Sequence, residues 1–297
     1  MPANPFCELA DDGIPLFELK VGLVLYLEAP PPRNVVADVY GYYIGCSGNR
    51  ITRYRPTTSG EMPRPWDATA RASFETAELP NLYVKRNWGY VFSDALNIDS
   101  WLFMFHGYRP RSEPGKASFF RFDFDWQVDA GFLGAFAEGL IERTPFLSGF
   151  CGYYLQPRNK LRYLSQSFDR IFSIAQRYWG IEAHNLDITV DYMLQGYKCV
   201  NWLTFIGERF RSAEPQAVSA AEAAGSRSVR TAHGTLIEAQ PLRAFGDRHL
   251  QEALPGYQAV AQALEPLQIQ EHAAFGGNRW TDDNTIDYIK RWTSGTP

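Results

Sequence analysis

Residues 118–157 read SFFRFDFDWQVDAGFLGAFAEGLIERTPFLSGFCGYYLQP, and three patterns follow one another within them. The first alternates strictly: Phe120, Phe122, Phe124 and Trp126 fall on one side, Arg121, Asp123 and Asp125 on the other. That period of two predicts a strand with an apolar and a polar face, the latter solvated. Next, Asp129 stands where a helix cap is wanted, ahead of Phe132, Leu133, Phe136, Leu140 and Ile141 at helical spacing. SGFCGYYLQP, with small and aromatic residues bounded by proline, then reads as a returning strand.

Working outward, the same order recurs. Upstream, LFELKVGLVLYLE (16–28) sets Leu19, Val21, Leu23, Leu25 and Leu27 against a second, partly apolar set, as in a strand covered on one face and partly on the other. Pro30–Pro32 ends it, a helix follows over RNVVADVYGYYIGC (33–46), and NRITRYRP (49–56) can return as a strand before a Pro- and Thr-rich loop around 56–66. Downstream, HGTLIEAQP (233–241) predicts a strand, LPGYQAVAQALEPL (254–267) a helix opened by Pro255, and QIQEHAAF (268–275) a closing strand. Between these lies LRYLSQSFDRIFSIAQRYWG (161–180), an amphipathic helix ending at Gly180. The Ala/Ser-rich segment 212–232 has little apolar bulk and could be a solvated helix or a loop, the loop being preferred.

Repeated strand–helix–strand units predict an α+β protein, with antiparallel or mixed sheets covered by helices on one face. The expected organisation is an N-terminal arm over 1–14 and one globular unit over 15–297, divisible into intimately packed subdomains of about 15–160 and 161–297.

At 297 residues, 45% of them hydrophobic and 15% aromatic, the chain can bury a large core and is not of the disordered class. A net charge of −4 gives no general pull toward nucleic acid or an anionic membrane, so neither is expected as a direct partner. No segment approaches the ~18 uninterrupted apolar residues of a membrane span, and the start MPANPFCELADDG lacks the features of a secretory leader. Cys7, Cys46, Cys151 and Cys199 lie far apart without metal-ligand spacing. Four separate thiols and no leader predict a cytoplasmic protein.

Chemistry-bearing motifs are sparse. Phosphate-loop, dinucleotide-turn and nucleophile-elbow patterns are missing, and His106, His184, His233, His249 and His272 are scattered. Cys151 sits in apolar FCGYY with no cation beside it, and Asp187, Asp191 and Lys198 miss the acid-x-lysine spacing of metal-dependent nucleases. No catalytic residue, cofactor or metal site is expected, which leans toward binding.

KCVNWLTFIGERF (198–210), GTLIEAQPLRAFGDRH (234–249) and PGYQAVAQALEPLQ (255–268) decide between the remaining classes. In their order this chain resembles a bacterial family of type VI secretion immunity proteins, antidotes to VRR-Nuc-type nuclease effectors. The matching positions are Asn201, Trp202, Leu203 and Thr204, a β-run into Pro241, the pair Gly246 and Asp247, and a helix from Tyr257. FCGYY around Gly152 matches the family's earlier glycine-rich strand, so the resemblance spans roughly 15–276. It implies a toxic effector as partner and a structural role for these motif residues. Asn201 is then read as capping a helix that starts at Trp202, with Thr204 supporting its first turn.

Since a nuclease cleft must be positive to hold phosphate, the candidate effector-binding residues are carboxylates: Asp11 and Asp12, Asp123 and Asp125, and Asp282, Asp283 and Asp287. TDDNTIDY (281–288) reads as a turn able to project Asp282 and Asp283. The alternatives are an enzyme with a dispersed site built on Asp123, Asp125 and His106, or a structural component of the secretion apparatus. Oligomeric state is not legible in the sequence.

Overall fold

A computed structural model describes residues 4–57, 62–84, 88–95, 100–109, 111–158 and 161–294. Part of the loop expected around 56–66, residues 58–61, lies outside them. The strands are β1 (Cys7–Leu9), β2 (Pro15–Leu27), β3 (Arg53–Pro56), β4 (Arg64–Pro65), β5 (Gly89–Ser93), β6 (Leu102–His106), β7 (Ser118–Asp125), β8 (Ser148–Pro157), β9 (Leu203–Gly207), β10 (Arg227–Thr231) and β11 (Gly234–Glu238). The α-helices are α1 (Arg33–Ser47), α2 (Ala68–Ser73), α3 (Ala130–Arg143), α4 (Leu161–Arg177), α5 (Leu186–Thr189), α6 (Glu208–Ala213), α7 (Pro215–Ala224), α8 (Pro255–Leu264) and α9 (Asp282–Ile289).

Among the described residues the strands form one 11-stranded sheet in the order β10-β11-β9-β8-β2-β7-β6-β5-β3-β4. All of its pairings are antiparallel. The long strand β2 is its spine, with β8 along one edge and β7 along the other from Lys20 to Leu27. β1 lies beside the start of the same strand, Cys7 opposite Glu18. The sheet runs without a break through strands from both halves of the chain.

The strands and helices expected around 16–56 and 118–180, and those at 233–241 and 254–267, are found. The α+β class with an antiparallel sheet is therefore the fold. Helices cover both faces of the sheet, however, and not one. Val21, Leu23 and Leu25 of β2 and Phe120, Phe122 and Phe124 of β7 pack under α1, α3, α7 and α8. Val24 and Tyr26 of β2, with Phe119 and Phe150, pack under α4, α5 and α9. The reason lies in β2 itself: a strand apolar on both sides leaves water on neither. Trp126 falls past the end of β7 and joins the second core, away from Phe120, Phe122 and Phe124.

Further expectations are corrected. Segment 212–232 is not a loop: Pro215 opens α7, whose Val218 and Ala221 are buried, and β10 follows. QIQEHAAF forms no strand, only an isolated bridge between Gln268 and Tyr197. Asn201 caps no helix, because the residues from Leu203 on form β9, between β8 and β11. TDDNTIDY is not a projecting turn but α9, with Thr281 and Asn284 forming a reciprocal capping box.

Candidate functional site

The candidate carboxylates meet different fates. On β7, Asp123 is wholly buried and not on a solvated face. Arg121 grips it with two bonds, Nε to Oδ1 at 3.0 Å and Nη2 to Oδ2 at 2.6 Å, and also donates to the Tyr154 hydroxyl at 2.9 Å. The polar side of that strand faces the second core, so its charges must be paired. Asp125, at the strand's end, is half-buried and accepts from the Gln127 amide at 2.9 Å. His106 stands opposite Phe119 while Asp123 stands opposite Leu102, four strand positions or about 13 Å along the sheet. Asp123, Asp125 and His106 therefore do not converge.

Asp12 is held by buried Arg158 through two bonds of 2.7 Å. Exposed Asp11 accepts from Arg162 at 2.8 Å and from the Tyr163 hydroxyl. Both acids fasten the segment before β2 to the start of α4 or just ahead of it.

α9 presents the remaining three. Asp282 Oδ1 accepts from the Ala274 amide at 2.8 Å, tying the helix start to the preceding loop. Asp283 and Asp287, one turn apart, are exposed and have no ion pair among the described residues. Its opposite side, Thr285, Tyr288 and Ile289, is buried.

Beneath α9 lies a polar centre that sequence reading missed. Glu182 is wholly buried. Its carboxylate meets Lys198 at 2.5 Å and Arg291 at 3.1 Å, and accepts from Asn201 Nδ2 and the Cys199 thiol, each at 3.1 Å. Burial alone would push the Glu182 carboxyl up, but Lys198 and Arg291 outweigh it and hold it below the ordinary range. The same burial, with Glu182 adjoining, pushes the Cys199 thiol up to about 12, which keeps it inert. Removing one cation would strand a buried charge, a loss that typically costs about 3–5 kcal/mol. A visible signal existed: Glu182 and Lys198 are single charges inside the apolar runs WGIEAH and YKCV.

The motif residues make contacts within the fold. Asn201 and Thr204 bond one another, the Asn201 amide donating to Thr204 Oγ1 at 3.1 Å, and Trp202 Nε1 donates to the Gln240 carbonyl at 3.0 Å. Leu203 is buried between β8 and β11. Pro241 lies exposed beyond β11. Gly246 holds a φ of 65°, and Asp247 accepts two bonds from Arg177, at 2.9 and 2.6 Å. That pairing with Arg177 brings the Asp247 carboxyl down to about 2. A cleft of about 420 Å³ beside this turn is lined by Trp179, Trp292, Arg248 and Leu254 and takes in none of the candidate acids.

Among the described residues no cluster of His, Cys, Asp or Glu has a metal-holding arrangement, and no helix is long and apolar enough to cross a membrane. At the surface, α9 presents the exposed carboxylates of Asp283 and Asp287.

A family model described as TsiV, type VI immunity for VRR-NUC, matches residues 94–284. No curated protein matches the sequence. Among solved structures, the Pseudomonas aeruginosa T6SS protein PA0821 is similar in fold, with a TM-score of 0.75 at 12% identity, covering 97% of this chain and 89% of that one.

Proposed function

We propose that this chain, which belongs to the TsiV family of type VI immunity proteins for VRR-NUC, neutralises its cognate effector by binding it and covering its active surface, without chemistry of its own. The observation that carries the reading is the contrast among the acids. Arginines already grip Asp11, Asp12 and Asp123, whereas Asp283 and Asp287 stand exposed on α9 without an ion pair among the described residues. A cleft shaped for the phosphates of nucleic acid is lined by cations, and carboxylates on a rigid helix can take the phosphates' place. The protein acts in the cytoplasm, where a nuclease effector would reach DNA or RNA.

The test is Asp283→Lys combined with Asp287→Lys. Both positions are exposed, so melting should stay within a few degrees of wild type. Association with the purified effector should slow, its salt dependence should weaken, and protection on co-expression should fall. Association at the wild-type rate in low salt would end the assignment of these acids.

A further inference from the structure

α9 spans only Asp282–Ile289, far below the ~12–15 residues at which a helix holds itself in water, so its seat must come from what anchors it. Its apolar side supplies part. A run of buried hydrogen bonds supplies the rest. The Tyr288 hydroxyl donates to the Ile181 carbonyl at 2.5 Å and accepts from the Ala183 amide at 3.0 Å. Just past the helix, Arg291 donates from Nε to the Trp179 carbonyl at 2.9 Å, from Nη1 to the Tyr288 carbonyl at 2.9 Å, and from Nη2 to Glu182 at 3.1 Å. Gln268 Nε2 reaches the carbonyls of both Ile289 and Lys198 at 3.0 Å. Glu182 is itself fixed to the sheet, its amide donating to the Tyr153 carbonyl of β8 at 2.8 Å. One guanidinium thus joins the end of α9 to the segment 179–182 and, through Glu182, to the sheet.

We infer that Arg291 and Tyr288 are positioning residues for effector recognition: buried and out of a partner's reach, they fix the seat of the helix whose outer side carries Asp283 and Asp287. The inference rests on the assignment of those acids above. A planar guanidinium can serve the Trp179 carbonyl, the Tyr288 carbonyl and Glu182 at once, which a lysine ammonium on the same stem cannot. In Arg291→Lys the charge beside Glu182 is kept and the multiple attachment is lost. In Tyr288→Phe the ring stays and only the hydroxyl bonds go.

The experiment measures amide hydrogen exchange and binding kinetics on the full chain, using the purified effector as probe. For both variants, amides of Thr285–Ile289 should exchange at least tenfold faster while those of Leu19–Tyr26 in β2 keep their wild-type rates. Dissociation of the complex should quicken about tenfold, the equivalent of ~1.4 kcal/mol. Association and its salt dependence should hold, since both surface acids remain. A purely structural role would instead raise exchange in α9 and β2 together and leave dissociation of the folded population unchanged. That result overturns the inference, as does faster α9 exchange with wild-type dissociation. Should Arg291→Lys fail to fold, Tyr288→Phe decides alone. Failure of the underlying assignment shows separately, as wild-type association by the Asp283→Lys, Asp287→Lys protein, and removes the premise whatever the exchange result.

Discussion

Asn201 is a polar side chain at 1% exposure, and its partners explain both its presence and that of the glycine facing it. Its Nδ2 donates to Glu182, while its Oδ1 lies only 2.2 Å from where a β-carbon on Gly152 would stand, so β8 has glycine where the amide needs room. Asn201→Ala should therefore destabilise the fold by about 1–3 kcal/mol, the cost of a lost bond to a buried charge. Gly152→Ala should cost as much or more by driving the amide off Glu182. Because the two changes strike one contact, the double variant should unfold in urea with a loss clearly smaller than the sum of the single losses. Strict additivity would show that the two residues do not act through each other. The sequence signalled that Asn201 and Thr204 needed partners, since polar groups within an apolar run are costly unless bonded. It misled about the element, because Asn followed three residues later by Thr imitates a helix cap, while the β-branched and aromatic content of Trp202–Ile206 pointed to a strand. Glu182, at the centre of the contact, showed in the sequence only as a lone charge in an apolar run, and its partnership was not legible, because the partners lie at positions 198, 201 and 291.

Elements were legible where their periodicity was long and both ends were marked, as in α3 with Asp129 or α8 with Pro255. They were misread where turn-forming residues double as caps. Thr, Asp and Asn bond to nearby backbone in turns and at helix starts alike. In TDDN they do the latter, the Asn284 amide donating to Thr281 Oγ1 at 3.2 Å and the Thr281 amide to Asn284 Oδ1 at 2.9 Å. α7 escaped for a different reason: it buries only Val218 and Ala221, so its apolar stripe is too thin to register as a period. Thr281→Ala should cost about 1 kcal/mol through loss of the cap. The effect should appear as faster amide exchange in the first turn of α9, with the β2 amides protected as in wild type. Unchanged exchange would mean that Asp282, bonded to Ala274, holds the start of the helix unaided.

At the scale of the whole molecule, a sheet apolar on both faces gives two cores, and the second is richer in buried polar groups than alternation in β7 alone foretold. The strands β2 and β7 and the first core they line were readable, since alternation is a local property, whereas the choice between antiparallel and mixed pairing was not. Which charges the second core encloses depends on segments distant in sequence, and no local pattern records that. Two of its residues contribute to the protein's response to acid, alongside His106, which burial also lowers. Burial, aided by Lys198, lowers His272 from its ordinary 6.5 to about 4, against the pull of the Ala273 carbonyl, Glu182 and Asp282. Burial likewise holds His184 well below 6.5, with Lys198, Arg121 and His272 adding to it. Neither ring nitrogen of His184 has a hydrogen-bond partner among the described residues, so a proton there would find no acceptor to offset its burial. Both side chains are thus neutral in the folded protein and take up protons on unfolding once the pH falls below about 6.5. A depressed folded-state value means that the contribution is complete above that pH and is lost on the way down toward 4. Stability from urea unfolding should be flat from about pH 8 to 7 and then fall, each histidine adding a slope of at most ~1.4 kcal/mol per pH unit. His184→Phe with His272→Asn should lower the plateau, because two buried sites are altered, and should flatten the limb between about pH 6.5 and 4.5. A wild-type profile already flat across that window would show that the second core admits these protons without cost, and that its enclosure of His184 and His272 has been misjudged.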